Sequence, residues 1–253
     1  MTLKFHDSDD FYKKRLLKIK LTFPSLFWEQ MNQLSHCFYM VKKTTLYFIM
    51  LGMISAQSFS IARIHYSGGG DWYSDPSSLP NLLNYLNLNT PMSAYDEEFR
   101  IKLTDDDANQ YPYLYMTGHG NIRFTDDEVI ALRSILMNGG FLHADDNYGM
   151  DDSFRREMKR VFPNKDLVTL PHDHPLFSSY FKMPNGLPKV HEHDNHPPLA
   201  LALFEDKRMI LVYTFESDLG DGWEDASVHQ DPFPIREAAL KMGVNIIYFA
   251  LTQ

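Results

Sequence analysis

Short apolar runs in this chain pass without a break into loops dense in Gly, His, Asp and Trp. Tyr66-Ser67-Gly68-Gly69-Gly70-Asp71-Trp72-Tyr73 follows one such run, and Thr117-Gly118-His119-Gly120-Asn121 follows a second. His143-Ala144-Asp145-Asp146-Asn147-Tyr148-Gly149 follows a third, and Glu216-Ser217-Asp218-Leu219-Gly220-Asp221-Gly222-Trp223-Glu224-Asp225 the last. Runs of helical periodicity lie between them. Alternation of this kind predicts an α/β three-layer sandwich with a mostly parallel sheet, flavodoxin-like in outline. In an open parallel sheet the carboxyl ends of the strands share one edge, and ligands bind there. The four loops therefore locate a polar site.

The elements follow from period and punctuation. Ser60–Tyr66, Phe99–Leu103, Tyr113–Thr117, Phe141–Ala144 and Asp166–Leu170 read as strands, as do Leu199–Phe204 and Met209–Phe215 around a Glu205-Asp206-Lys207-Arg208 turn. Pro76–Asn89 reads as a helix with Leu79, Leu82, Leu83 and Leu86 on one face, and Ser77 or Ser78 near its cap. Thr125 and Glu128 form a capping box before Val129, Leu132, Ile135 and Leu136, and Gly139-Gly140 ends that helix. A further helix starts at Asp152 or Ser153 and is halted by Pro163; a last one spans Pro234–Leu251. Residues 171–198 carry five of the eleven histidines and little regular pattern, which marks a functional or mobile loop.

A chain of 253 residues can bury a sizeable core. Its net charge is -9, and no basic block lies beyond the first 43 residues, so nucleic acid is excluded as a partner. Cys37 is the only cysteine, which rules out an intramolecular disulfide and a thiol mechanism in the main domain.

Met40-Val41-Lys42-Lys43, the apolar run to Ile54 and the small residues Ser55, Ala56 and Ser58 have the form of a secretory signal peptide. The run is too short to span a bilayer. The expected organisation is an over-extended N-terminus over 1–39, a signal peptide over 40–58 with translation starting at Met40, and one α/β domain over 59–253. The protein is then exported to the periplasm or cell envelope and meets the membrane only through that signal. The competing reading is a cytoplasmic arm followed by a helix packed on the domain.

The Gly68-Gly69-Gly70-Asp71-Trp72-Tyr73 run, Leu114 to Gly120, Gly139 to Asp146, Phe154-Arg155-Arg156-Glu157-Met158 and Ser217 to Asp225 together resemble the bacterial domain-of-unknown-function family numbered 4159. The resemblance covers roughly residues 60–253 and implies no assigned reaction. Tyr113 to Asp146 also resembles the class I glutamine amidotransferase-like superfamily, whose nucleophilic cysteine sits in a sharp turn after the equivalent strand. Here the turn reads Ala144-Asp145-Asp146-Asn147-Tyr148, without cysteine. That resemblance implies the fold and counts against glutaminase activity.

The candidate catalytic residues are Asp145, Asp146 and His119. Adjacent carboxylates at a strand end can bind a hard cation or act as acid and base; the ordinary alternative is that one caps the next helix. His143 alternates with Leu142 and is expected to point into the sheet or the crevice. The glycines flanking His119 let backbone approach a ligand, or simply make a tight turn. The Gly68-Gly69-Gly70 run suits a nest of amides for an anion but lacks a Walker lysine. Arg155-Arg156 could hold an anionic group or pair within the helix with Glu157 or Asp152. The full ligand-binding set is Gly69, Gly70, Asp71, Trp72, Tyr73, Gly118, His119, Gly120, Asp145, Asp146, Tyr148, Glu216, Asp218, Asp221 and Trp223. A Trp beside carboxylates holds a sugar ring or pins a loop.

His172, His174, His191 and His193 are the candidate ligands for a divalent metal, because His-x-His on an extended loop places both rings on one side. The expected function is binding of a small polar ligand, a sugar or peptide, on a scaffold that lacks the catalytic thiol. The alternatives are a metal- or carboxylate-dependent hydrolase at the same site and a structural partner in an envelope protein complex.

Overall fold

The computed structural model describes residues 58–253; the segments read as an N-terminal extension and signal peptide lie outside the described residues, apart from Ser58. Seven strands form one sheet: β1 (Ile61–Ile64), β2 (Phe99–Ile101), β3 (Tyr113–Met116), β4 (Phe141–Asp145), β5 (Val168–Thr169), β6 (Leu199–Glu205) and β7 (Arg208–Phe215). Their spatial order is β2-β1-β3-β4-β7-β6-β5. The β2-β1-β3-β4-β7 pairs are all parallel, and β6 is antiparallel to both neighbours. The sheet is mostly parallel because crossover helices return the chain to the same end, whereas the Asp206-Lys207 hairpin reverses β6 into β7. Asp206 takes a left-handed φ of 49° to make that turn.

Strand alternation distributes the core over both faces. Ala62, Ile64, Leu114, Met116, Leu142 and Ala144 pack on α2 (Asp126–Met137) and α3 (Asp151–Val161). Ile61, Tyr113, Tyr115 and Phe141 pack on α1 (Ser78–Asn89), α4 (Leu219–Trp223) and α6 (Phe233–Thr252). The result is helix, sheet, helix. The capping box is present: Thr125 accepts from the Glu128 amide, and Glu128 accepts from the Thr125 amide.

Several expected boundaries move for identifiable reasons. Ser77 precedes α1 but does not cap it; its Oγ donates to Glu224 Oε1 at 3.2 Å and accepts from the Asp225 amide at 3.0 Å. Helix α3 begins at Asp151, ahead of Asp152, since the chain is already turned by Asp146. The strand expected over Asp166–Leu170 shortens to Val168–Thr169 because it is an exposed edge with one neighbour. Two short helices, α4 and α5 (Ala226–His229), were not legible in the acidic last loop. No helix among the described residues is long and apolar enough to cross a membrane.

Candidate functional site

The four strand-end loops meet at Asn147, a buried residue just past β4. Its Nδ2 donates to Asp75 Oδ2 at 2.5 Å and to Asp221 Oδ1 at 3.3 Å, and its Oδ1 accepts from Thr117 Oγ1 at 3.2 Å. One amide thus joins the loops after β1, β3, β4 and β7. Asp75 is presented by buried Arg63 of β1, which donates to the carbonyls of Ser74 at 2.8 Å and Asp75 at 3.3 Å. The turn is fixed further by Ser78 Oγ, which donates to the Asp75 carbonyl at 2.7 Å, and Asp75 sits at φ 53°. A non-glycine residue held there costs energy that the surrounding contacts must supply.

Asp145 and Asp146 do not act as a pair. Successive side chains of a strand point to opposite faces, and the two carboxylates follow that rule. Asp145 lies fully buried on the α4 side, where it accepts from Thr214 Oγ1 and from the Gly220 amide at 2.6 Å. Asp146 turns the other way and accepts from the amides of Tyr148 at 3.2 Å and Met150 at 3.4 Å, so it organises the start of α3. Gly220 is required by close approach: a Cβ there would lie 2.8 Å from Asp75 Oδ2 and 3.3 Å from Asp145 Oδ2. His143 points into the sheet, between Tyr113 Oη at 3.0 Å and Thr214 Oγ1 at 3.1 Å. Burial lowers its pKa to about 3, so it is a neutral structural residue.

The His119 side chain is half-exposed and oriented by Asp71. Asp71 Oδ2 lies 3.1 Å from His119 Nδ1, and its Oδ1 accepts from the His119 amide. Gly118 permits this at φ 137°, where any Cβ would collide with Tyr66 Oη and the Asp71 backbone.

A third group gathers on the long loop. His193 Nε2 lies 2.5 Å from Asp218 Oδ2 and its ring stacks on Tyr148 at 4.6 Å. His191 Nδ1 lies 2.8 Å from Asp221 Oδ2, and its Nε2 lies 3.2 Å from Asp231 Oδ2. His229 Nε2 lies 3.0 Å from Glu224 Oε2 and 3.6 Å from Asp221 Oδ1. Tyr148, Glu216 and Asp218 all have positive φ, at 83°, 55° and 52°.

Crowding of buried acids shifts their protonation. Burial, then the Asp221 carboxylate, pushes Asp75 up to about 7 and Asp218 up to about 8. Burial raises Asp145 well above the carboxylate range, and raises Asp146 as well.

The expected residues separate into those that join this arrangement and those that do not. Asp71, Gly118, His119, Asp145, Tyr148, Asp218, Asp221, His191 and His193 lie in the contacts above. Glu216 is bound by Lys189 at 3.2 Å. Trp223 is wholly buried, with Nε1 donating to the Ala239 carbonyl at 2.8 Å, so it pins α4 on α6 and cannot stack on a sugar. Trp72 stacks on His65 at 4.1 Å and meets exposed Tyr73 edge-on. Within the expected anion nest, the Gly70 amide donates to the Asn121 carbonyl, and the adjoining Asp71 amide donates to the His119 carbonyl, while Gly69 and Gly120 stand exposed. Arg155 pairs with Asp151 at 2.7 Å and Arg156 with Glu157 at 3.0 Å. His174 Nδ1 accepts from the Leu176 amide and its ring packs on Phe249, and exposed His172 lies against Gly186; neither joins His191 and His193.

Sequence reasoning missed Asp75, Asn147, His229, Glu224 and Asp231 as site residues. Asn147 abuts the Asp pair in the third loop, which was its one available signal. A cleft of about 860 Å³ is lined by Gly68, Asn121, Arg123, Arg156 and Arg160, and by none of the carboxylates around Asn147.

The family of the domain of unknown function DUF4159 matches residues 60–251. The chain belongs to this family. Both the Asn147 junction and the Asp71–His119 pair fall inside the DUF4159 match. No curated protein matches the chain.

Proposed function

We propose that this DUF4159 domain binds a small polar ligand, a sugar or a peptide, at the carboxyl edge of its sheet. The observation that carries the reading is the Asn147 junction, where one amide ties together all four strand-end loops. The partly exposed carboxylates of Asp71 and Asp221 supply acceptors for hydroxyl or ammonium donors, which favours a neutral or cationic ligand over an anion. The scaffold reads as amidotransferase-like, with β4 running into the thiol-free turn Asp145-Asp146-Asn147 and the left-handed residue at Tyr148. Export to the periplasm or envelope, with translation starting at Met40, remains part of this reading. N-terminal sequencing of the native protein tests it, and a mature chain that begins before Met40 refutes it.

One observation favours hydrolysis as a second reading. An exposed imidazole held by a carboxylate is the arrangement of a general base and its orienting group. Acid–base work would then fall to His119 and Asp71, not to the buried Asp145.

The test is a thermal-shift screen of the full chain against monosaccharides, oligosaccharides and short peptides, repeated with Asp71→Asn. A ligand that raises Tm in the wild type and not in the variant supports the reading. Equal shifts in both, or no shift from any compound, refute it. Product formation that disappears in His119→Ala would move the assignment to the hydrolase.

A further inference from the structure

We infer that His191, Asp221 and His229 form a binding site for a single divalent first-row transition ion, with zinc as its best-matched member. The inference goes beyond the ligand reading and does not depend on it.

The three side chains offer one ligand atom each, and these atoms all lie within 4.8 Å of one another. They come from three separate places: the long loop, helix α4 and the end of helix α5. His191 Nδ1 and Asp221 Oδ2 are 2.8 Å apart, and His229 Nε2 and Asp221 Oδ1 are 3.6 Å apart. Arms of about 2.0–2.1 Å in a tetrahedral site put neighbouring ligand atoms about 3.4 Å apart, between the 2.8 Å contact and the 4.8 Å limit, so small side-chain shifts would bring all three onto one ion. Binding would replace the proton shared there, as metal binding does.

Two further observations point to a cation. First, His191 Nε2 faces Asp231 at 3.2 Å while its Nδ1 faces the centre. A ligating histidine that passes its other N–H to a carboxylate is the usual support of a metal centre. The chain turns between His229 and Asp231 at Gln230, which has φ 60°. Second, Asp218 is 1 % exposed, its Oδ2 lies 3.9 Å from His191 Nδ1, and its Oδ1 has no hydrogen-bond partner. A buried Asp oxygen without a hydrogen-bond partner is costly, and an ion at this centre would supply the missing partner directly or through a bound water.

Charge balance agrees. Among the described residues, no Lys or Arg forms an ion pair with Asp218, Asp221, Glu224 or Asp231. Two imidazoles and one carboxylate are borderline donors that suit zinc, and iron(II) takes the same set; calcium and magnesium prefer oxygen alone. Three protein ligands leave a position open for water or for an oxygen of a bound molecule.

The test uses the full chain purified without chelator. Metal content is measured by elemental analysis, and metal-stripped protein is then titrated with Zn²⁺ alone and with Co²⁺ alone as a spectroscopic stand-in. The expected result is one equivalent of transition metal per chain and an intense tetrahedral Co²⁺ spectrum. In a double His191→Ala, His229→Ala variant both should vanish, and Asp231→Asn should weaken Zn²⁺ binding by about 10- to 100-fold. Exposed His172→Ala is the control and should bind normally. Should the double variant fail to fold, wild-type stoichiometry and the Asp231→Asn titration decide the matter. Absence of stoichiometric metal in the wild type, or unchanged binding in Asp231→Asn, overturns the inference. A metal site with no ligand in the thermal-shift screen would leave this inference standing and remove the ligand reading; the reverse result would do the opposite.

Discussion

Asn147 Nδ2 lies 2.5 Å from Asp75 Oδ2, across 72 positions of chain, and the same nitrogen reaches Asp221 Oδ1 at 3.3 Å. A neutral amide is suited to that place. It donates to two carboxylates and accepts from Thr117 with its oxygen, so a single short side chain satisfies three loops. Replacing it removes the donors to both carboxylates.

Asn147→Ala should therefore destabilise the domain by about 1–3 kcal/mol, the cost of leaving buried polar partners unmade. It should also abolish any ligand response. Chemical denaturation read together with the thermal-shift screen checks both. Stability within experimental error of the wild type would mean that the junction is not structurally important.

Asp75 gives a pH signature. Its folded-state pKa is about 7, against 3.8 for an unperturbed Asp. Between those values the folded state holds more protons than the unfolded one, so this group's contribution favours folding at low pH and is lost as pH rises toward 7. His143 works in the opposite direction, because burial lowers its pKa from 6.5 to about 3 and the unfolded chain takes up its proton first as pH falls. Comparison with Asp75→Asn isolates the carboxyl group. The stability advantage of the variant over the wild type should grow from pH 4 to pH 7 in the presence of chelator. A difference that is flat with pH would show that Asp75 titrates normally.

Gly220→Ala places a methyl group against Asp75 Oδ2, Tyr115 Oη and Asp145 Oδ2. Overpacking of this kind costs about 1–3 kcal/mol. Asp145 should also lose its short bond from the Gly220 amide as α4 shifts. Equilibrium unfolding measures the cost, and a neutral effect would indicate that α4 is free to move.

His119→Ala separates site from scaffold. The side chain is 54 % exposed and its only described side-chain partner is Asp71. Its removal should change stability by no more than about 0.5 kcal/mol, as surface substitutions do, while removing ligand binding or turnover. A large loss of stability would instead make His119 a structural residue.

The sheet and its main helices were legible because their signals are local. The leucine spacing of α1, the capping box of α2 and the apolar runs of the strands each decide an element within a few residues. Helix α4 was not legible: Gly220 and Gly222 are poor helix formers, and the turn exists because Trp223 is buried against α6. The gathering of the strand-end loops at one edge was legible in the sequence, but the contacts among them were not. Asp145-Asp146 reads as a pair in one dimension and is divided by the pleat in three. Asp75 and His229 stand alone in the sequence, and only the sheet edge brings them to Asn147 and Asp221. The His-x-His pattern gave two candidates at 172–174 and 191–193, and the fold sets them apart, with His174 against Phe249 and His172 against Gly186.

The central claim is that ligand meets this protein at the carboxyl edge around Asn147. Backbone-amide NMR of the full chain, titrated with the strongest compound from the sugar and peptide screen, tests it most directly. Saturable shifts are expected at Asp71, His119, Asn147, Tyr148 and Asp218. Shifts confined to the cleft lined by Arg123, Arg156 and Arg160 would contradict it and place the ligand elsewhere on the domain.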